Sequence, residues 1–143
     1  MGYNNWSLQE NEDFIKPAFE NYEQYAYYMK SKHVEFNFDL GSSDSFIDWR
    51  QYPDSYSFWY YFIGCEEEVA AYFRRTELIK YDTIIMDFGK RDPICEISMN
   101  VFIDKWLDFV AGAHYETTAV TGDGKLFMEF KKGDILFSNF KIK

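Results

Sequence analysis

The last third of the chain constrains the fold most. Ser98 to Gly112 places Phe102, Trp106, Phe109 and Val110 at helical spacing, with Ile103 and Leu107 widening the stripe and Asp104, Lys105 and Asp108 opposite. Ser98 is a candidate N-cap and Gly112 a natural stop. Three β-prone runs follow, Thr117–Thr121, Lys125–Phe130 and Ile135–Ile142. They are separated by Asp123-Gly124, read as a two-residue hairpin, and by Lys132-Gly133-Asp134. A helix followed by a three-stranded meander predicts an α+β domain: an antiparallel or mixed sheet with helices packed largely on one face. At 143 residues the chain is expected to form one domain, residues 1–143.

The first two thirds read less regularly. Pro17 to Lys32 is predicted as a helix, with Pro17 at its first position and Phe19, Tyr22, Ala26 and Met29 on one face. A short helix from about Leu8 to Ile15, capped by Ser7, is expected before it. Val34, Phe36, Phe38 and Leu40 alternate with Glu35, Asn37 and Asp39, the pattern of a half-buried strand. Gly41–Ser45 is a loop by its turn formers, and Phe46–Asp54 is irregular, ending near Pro53. Tyr56–Ile63 is strongly β-prone and is expected as a central strand. Residues 66–73 allow a helix, because Glu66, Glu67 and Glu68 suit a first turn, or a returning strand; a short helix over 66–77 is preferred. Asp82–Phe88 reads as a strand.

Charge and aromatic content bound the function. Acidic residues outnumber basic ones 24 to 15, a formal charge of −9. That argues against a protein that neutralises nucleic-acid phosphates or docks on an anionic bilayer. The excess is uneven: residues 1–72 hold 13 acidic and 4 basic side chains, residues 73–143 hold 11 of each. No apolar run reaches the length of a membrane span, and the first residues lack the pattern of a signal peptide or a myristoylation motif. With no export signal read, Cys65 and Cys95 are expected as free thiols in a cytoplasmic protein.

The search for chemistry yields little. His33, His114, Cys65 and Cys95 show no metal-ligand spacing, so surface or capping histidines and small buried thiols explain them better; neither metal nor cofactor is expected. Cys65 precedes a possible helix N-terminus, where a thiolate would be stabilised, but three glutamates follow and would raise its pKa. No nucleophile elbow is present, and Gly122-Asp123-Gly124-Lys125 is a turn rather than a phosphate loop. Asp44, Asp48 and Asp54 flank Trp49, Tyr52 and Tyr56, which would suit a carboxylate cleft with stacking platforms; a solvated loop anchored by one buried ring is the simpler account.

Acidic charge with surplus aromatics and no catalytic constellation suits a protein that binds a basic protein. Carboxylates steer the encounter, and Tyr and Trp supply contact area. In size, charge, aromatic content and α+β pattern the chain resembles bacterial immunity proteins of polymorphic and contact-dependent growth inhibition toxin systems. Phe102-Ile103-Asp104-Lys105-Trp106-Leu107-Asp108-Phe109, Gly124-Lys125-Leu126-Phe127-Met128-Glu129-Phe130 and Ser138-Asn139-Phe140 are similar in style to such domains. The resemblance implies a cytoplasmic, non-enzymatic inhibitor, monomeric or weakly dimeric, that neutralises one cognate toxin domain, often a nuclease, by occluding its active or substrate-binding surface. Neither nucleic acid nor membrane would be a partner. The acidic first half is the expected source of the binding surface, with Glu20, Glu23, Asp44, Asp48, Trp49, Tyr52, Asp54 and Tyr56 as its candidate residues. Two alternatives stand beside it: a homo-oligomerising or other interaction domain, and a small carboxylate-dependent enzyme or ligand-binding domain.

Overall fold

A computed structural model of the chain describes residues 3–37, 45–60, 65–89, 92–113 and 117–143. Among them seven strands form one sheet: β1 (Ile15–Phe19), β2 (Tyr56–Trp59), β3 (Thr83–Asp87), β4 (Ile94–Ser98), β5 (Thr117–Val120), β6 (Phe127–Lys131) and β7 (Ile135–Ser138). Their spatial order is β1-β4-β3-β5-β6-β7-β2, and every neighbouring pair is antiparallel. Among the described residues four α-helices accompany them: α1 (Trp6–Glu10), α2 (Tyr22–Ser31), α3 (Cys65–Arg74) and α4 (Met99–Gly112). The fold is therefore α+β, with β5, β6 and β7 as a C-terminal meander.

Strand alternation sorts the core into two layers. Ile84, Met86, Cys95, Ile97, Ala119, Met128, Phe130 and Leu136 point to one face and pack against α1, α3 and α4. Trp106 is the centre of that layer. Its ring stacks on Phe130, with centroids 5.8 Å apart, while Tyr60 meets both rings edge-on. The indole N–H donates to the Glu66 carbonyl at 2.9 Å, which satisfies the one polar atom the buried ring carries. The amphipathic stripe read from Ser98–Gly112 thus forms this face of the core. Arg74 of α3 and Asp104 of α4 form an ion pair that ties the two helices together outside it.

Ile85, Ile94, Val120 and Phe127 point to the opposite face, where Tyr25, Ala26 and Met29 of α2 cover them together with Val34, Phe36 and Ile47. Three of the four helices lie on the first face and α2 alone on the second. We refer to these as the α4 face and the α2 face.

Several local expectations are corrected. Pro17 does not open a helix but sits in β1, paired with Cys95. β1 is an edge strand, so the missing N–H breaks no ladder on its outer side. The helix starts at Tyr22 instead, because the Asn21 side chain accepts the Gln24 N–H at 2.9 Å and the Gln24 side chain accepts the Glu20 N–H at 3.1 Å. These two side-chain bonds at the helix start outweigh the preference of proline for a first turn. The early helix is capped by Asn5 rather than Ser7 and ends at Glu10; a short 3-10 turn over Glu12–Phe14 leads into β1. In place of the strand predicted from Val34, the described residues show a single bridge, Phe36 to Ile47; Phe38 to Leu40 lie outside them. Tyr56–Trp59 is an edge strand, not a central one, and Tyr61–Ile63 lie outside the described residues. The β5–β6 connection is wider than two residues: Thr121 N–H bonds the Leu126 carbonyl across it. Gly124 there has a φ of +75°, and a Cβ on it would collide with Lys32, so glycine is required on both counts. α3 matches the preferred helical reading of residues 66–77, although it ends at Arg74.

Candidate functional site

Polar side chains on strands of the α2 face converge on one cavity. Asp87, Thr118, Glu129 and Phe137 lie directly opposite one another across β3, β5, β6 and β7. With strands about 4.8 Å apart, the Cα atoms of Asp87 and Glu129 stand roughly 10 Å apart. Above this row the sheet and its cover leave a cavity of about 980 Å³. Its described lining includes Glu20, Asn21 and Tyr22 at the start of α2, and Ser45 and Phe46 of the covering segment. Asp87, Gly89, Asp92 and Ile94 line it from β3, β4 and their connection. Glu129, Lys131, Lys132, Ile135 and Phe137 line it from the meander.

Four carboxylates reach this lining, and they differ in what they have left to offer. Glu129 is saturated. Oε2 accepts the Phe46 N–H at 2.8 Å, and Oε1 accepts the Ile47 N–H at 3.3 Å and the Trp49 indole N–H at 2.8 Å. Burial still holds its pKa above the usual carboxylate range, against the pull of those three donors. Asp92 is likewise engaged, accepting the N–H groups of Asn4 at 2.6 Å and Asn5 at 3.1 Å. Glu20 is exposed at the start of α2. Asp87 is the exceptional one. It is only 3% exposed, yet among the described residues its side chain takes a single hydrogen bond, from the Gly89 N–H to Oδ1 at 2.9 Å. Desolvation raises its pKa.

The neighbours of Asp87 are otherwise occupied. Thr118, beside it on β5, shares a 2.9 Å hydrogen bond with the Tyr25 hydroxyl. The Tyr22 hydroxyl donates toward the carbonyls of Asn37 at 2.7 Å and Phe46 at 3.2 Å. The negative charges of Asp87 and Glu129 add to burial in raising the pKa of both tyrosines.

The residues named from sequence fall into different positions. Glu20 and Glu23 are exposed on α2, and Asp54 is exposed in the turn before β2. Asp48 is held by Arg50 in a two-point ion pair, at 2.8 and 3.2 Å, which keeps its pKa low and neutralises it locally. Trp49 is half-buried. Its ring lies against Phe127 and Phe137, and its N–H is committed to Glu129, so it acts chiefly as a pin for the cover. The Tyr52 hydroxyl accepts the Glu35 N–H at 2.9 Å and donates to the His33 carbonyl, which makes it a second pin. Tyr56 is 45% exposed, but alternation along β2 sets it with Phe58 on the α4 face. Asp44 lies outside the described residues.

The first-half carboxylates are also divided. Glu10, Glu12 and Asp13 lie at and just after α1, Glu66 to Glu68 in the first turn of α3, Glu20 and Glu23 at the start of α2, Asp48 in the covering segment and Asp54 in the turn before β2. Among the described residues, adjacency in sequence does not carry over to adjacency in space, and the first-half carboxylates are spread over several elements.

Asp87 and Glu129 were not anticipated. Their signal was present: each is a lone carboxylate inside an apolar strand, Ile84-Ile85-Met86-Asp87-Phe88 and Phe127-Met128-Glu129-Phe130. A Cys65 nucleophile assisted by a histidine finds no support in the described residues. Cys65 is buried in the α4-face core, while His33 is exposed at the end of α2 on the opposite face; His114 lies outside them. His33 adopts a φ of +68° immediately after the helix, the place of a C-terminal cap residue. Among the described residues no three His, Cys, Asp or Glu side chains group as a metal site, and no helix is long and apolar enough to cross a membrane. The chain matches no family model and no curated protein.

Proposed function

We propose that this protein is an immunity-type inhibitor that binds a cognate basic toxin domain, of nuclease type, and occludes its active or substrate-binding surface. It would act in the cytoplasm, without catalysing a reaction. The observation that carries the reading is the α2 face. It brings an exposed carboxylate, Glu20, into the lining of the cavity that holds the enclosed Asp87, with Glu23 exposed nearby on α2. Net negative charge accelerates encounter with a cationic partner, and a concave acidic surface retains it.

The commitment of Glu129 and Asp92 to the chain's own N–H groups supports binding rather than turnover, since a carboxylate saturated by fixed donors is poorly placed to exchange a proton with substrate. The test is co-expression with the C-terminal domain encoded by the neighbouring upstream reading frame. Restored growth and a stable complex of the two chains are expected. Growth arrest despite abundant folded protein would reject the reading.

One observation favours a homo-oligomer as a second reading. The β2 edge carries Trp59 at 63% exposure and Tyr56 at 45%, and an exposed edge strand can pair with another copy. Light scattering over a concentration series separates the two, since only the oligomer gains mass on concentration.

A further inference from the structure

The functional reading leaves open what enters the cavity, and the chemistry of its floor is specific. Asp87 Oδ1 is held by the Gly89 N–H, while no donor among the described residues reaches Oδ2. Among the described residues, Thr118 is engaged with Tyr25 and the Tyr22 hydroxyl with two backbone carbonyls. Asp87 lines the cavity and is otherwise nearly enclosed, so an oxygen with no protein donor there favours an incoming donor, a cation above all.

The walls narrow the class of cation. Tyr22 and Phe46 contribute rings to the lining, whereas the Phe137 ring is already taken by Lys131, whose Nζ lies 4.8 Å from its centroid. Aromatic walls beside a single carboxylate favour a planar, weakly hydrated guanidinium, which stacks on rings and presents donors in several directions, over a compact ammonium. A cavity of about 980 Å³ is roomy enough for such a head on its aliphatic stem. Lys131 and Lys132 occupy the meander end of the lining, which disfavours a second cation there and leaves the Asp87 end as the acceptor.

We infer that the α2-face cavity receives an arginine side chain presented by the basic partner, its guanidinium paired with Asp87 and stacked on the aromatic wall. This rests on the proposal that the partner is a basic protein.

The experiment titrates isotopically labelled full-length protein with N-acetyl-arginine methylamide, following the Gly89 amide by NMR, with the citrulline and lysine analogues in parallel. Citrulline keeps the shape and loses the charge. A saturable shift of Gly89 is expected with arginine, with affinity at least tenfold weaker for citrulline and several-fold weaker for lysine. Asp87→Asn, which keeps an acceptor for the Gly89 N–H, should weaken the arginine probe at least tenfold. Equal affinity for arginine and citrulline on the unmodified protein, or no saturable shift at all, would overturn the inference without recourse to any variant.

The two proposals fail separately. If the toxin domain binds wild type and Asp87→Asn alike, the arginine site is wrong and the inhibitor reading stands. If the arginine probe binds through Asp87 but co-expression with the toxin domain gives neither rescue nor a complex, the arginine site holds for a different source of guanidinium and the inhibitor reading falls.

Discussion

The Glu129 carboxylate accepts the indole N–H of Trp49 at 2.8 Å, across 80 residues of chain, and so fastens the covering segment to the middle of the sheet. The same carboxylate holds the Phe46 and Ile47 N–H groups, so one side chain of β6 organises the wall of the cavity. Removing it would leave three donors short of a partner. Glu129→Ala is expected to cost about 3 kcal/mol or more of folding stability, and Trp49→Phe, which removes one hydrogen bond and a little ring area, about 1–2 kcal/mol. Urea denaturation followed by circular dichroism measures both; equal losses would show that Glu129 acts only through Trp49.

Asp87 and Glu129 also set a pH dependence. Burial raises both pKa values in the folded state, so between the ordinary and the raised pKa the folded protein binds more protons than the unfolded one. Their contribution to stability is present below the ordinary carboxylate pKa and is lost as pH rises through the raised value. Asp87→Asn removes the penalty. The variant should be more stable than wild type at pH 7, and the gain should shrink on acidification, by about 1.4 kcal/mol for each pH unit between the two pKa values. Thermal or urea unfolding from pH 7 to pH 3 tests this, and a gain independent of pH would contradict it.

How much of this was readable in advance depended on the range of the interactions. The helix of Phe102, Trp106 and Phe109 and the C-terminal meander carry their patterns locally, in 3.6- and 2-residue periods, and the structure reproduces them. β4, Ile94–Ser98, was not recognised because five residues hold too little alternation to stand out. The aromatic run at Tyr56 looked central because β-propensity reports a strand without its place in the sheet; only pairing with β7 fixed it at the edge. Pro17 suits a first helical turn, but the competing cap at Asn21 and Gln24 decides where the helix begins. The cavity was the least legible feature. Asp87 and Glu129 meet only through the register of three strands, and no local spacing announces that.

The α4-face core makes a sharper packing prediction. Trp106 is fully buried, stacked on Phe130 and hydrogen-bonded to Glu66. Trp106→Ala is expected to destabilise by about 3–5 kcal/mol, with Trp106→Phe losing much less. Denaturant midpoints of the two variants decide this. A small loss for alanine would mean that the core collapses into the space.

Cys95 gives a chemical readout of folding. It is buried between β1 and β3, and burial, with lesser help from Asp92, pushes its thiol up to about 12. In the native protein at pH 8 Cys95 should resist iodoacetamide, since the thiolate is the reactive form, and should alkylate fully in denaturant. Rapid native labelling, mapped to Cys95 by peptide mass spectrometry, would show that the β1 edge opens readily.

Docking through the acidic α2 face is tested most directly by the ionic-strength dependence of the association rate with the toxin domain, measured for wild type and for Glu20→Gln/Glu23→Gln/Asp54→Asn. For wild type the rate should fall by about tenfold or more between low and high salt, while the triple variant should start slower and respond less. Equal rates and equal salt slopes for the two proteins would contradict docking through this face.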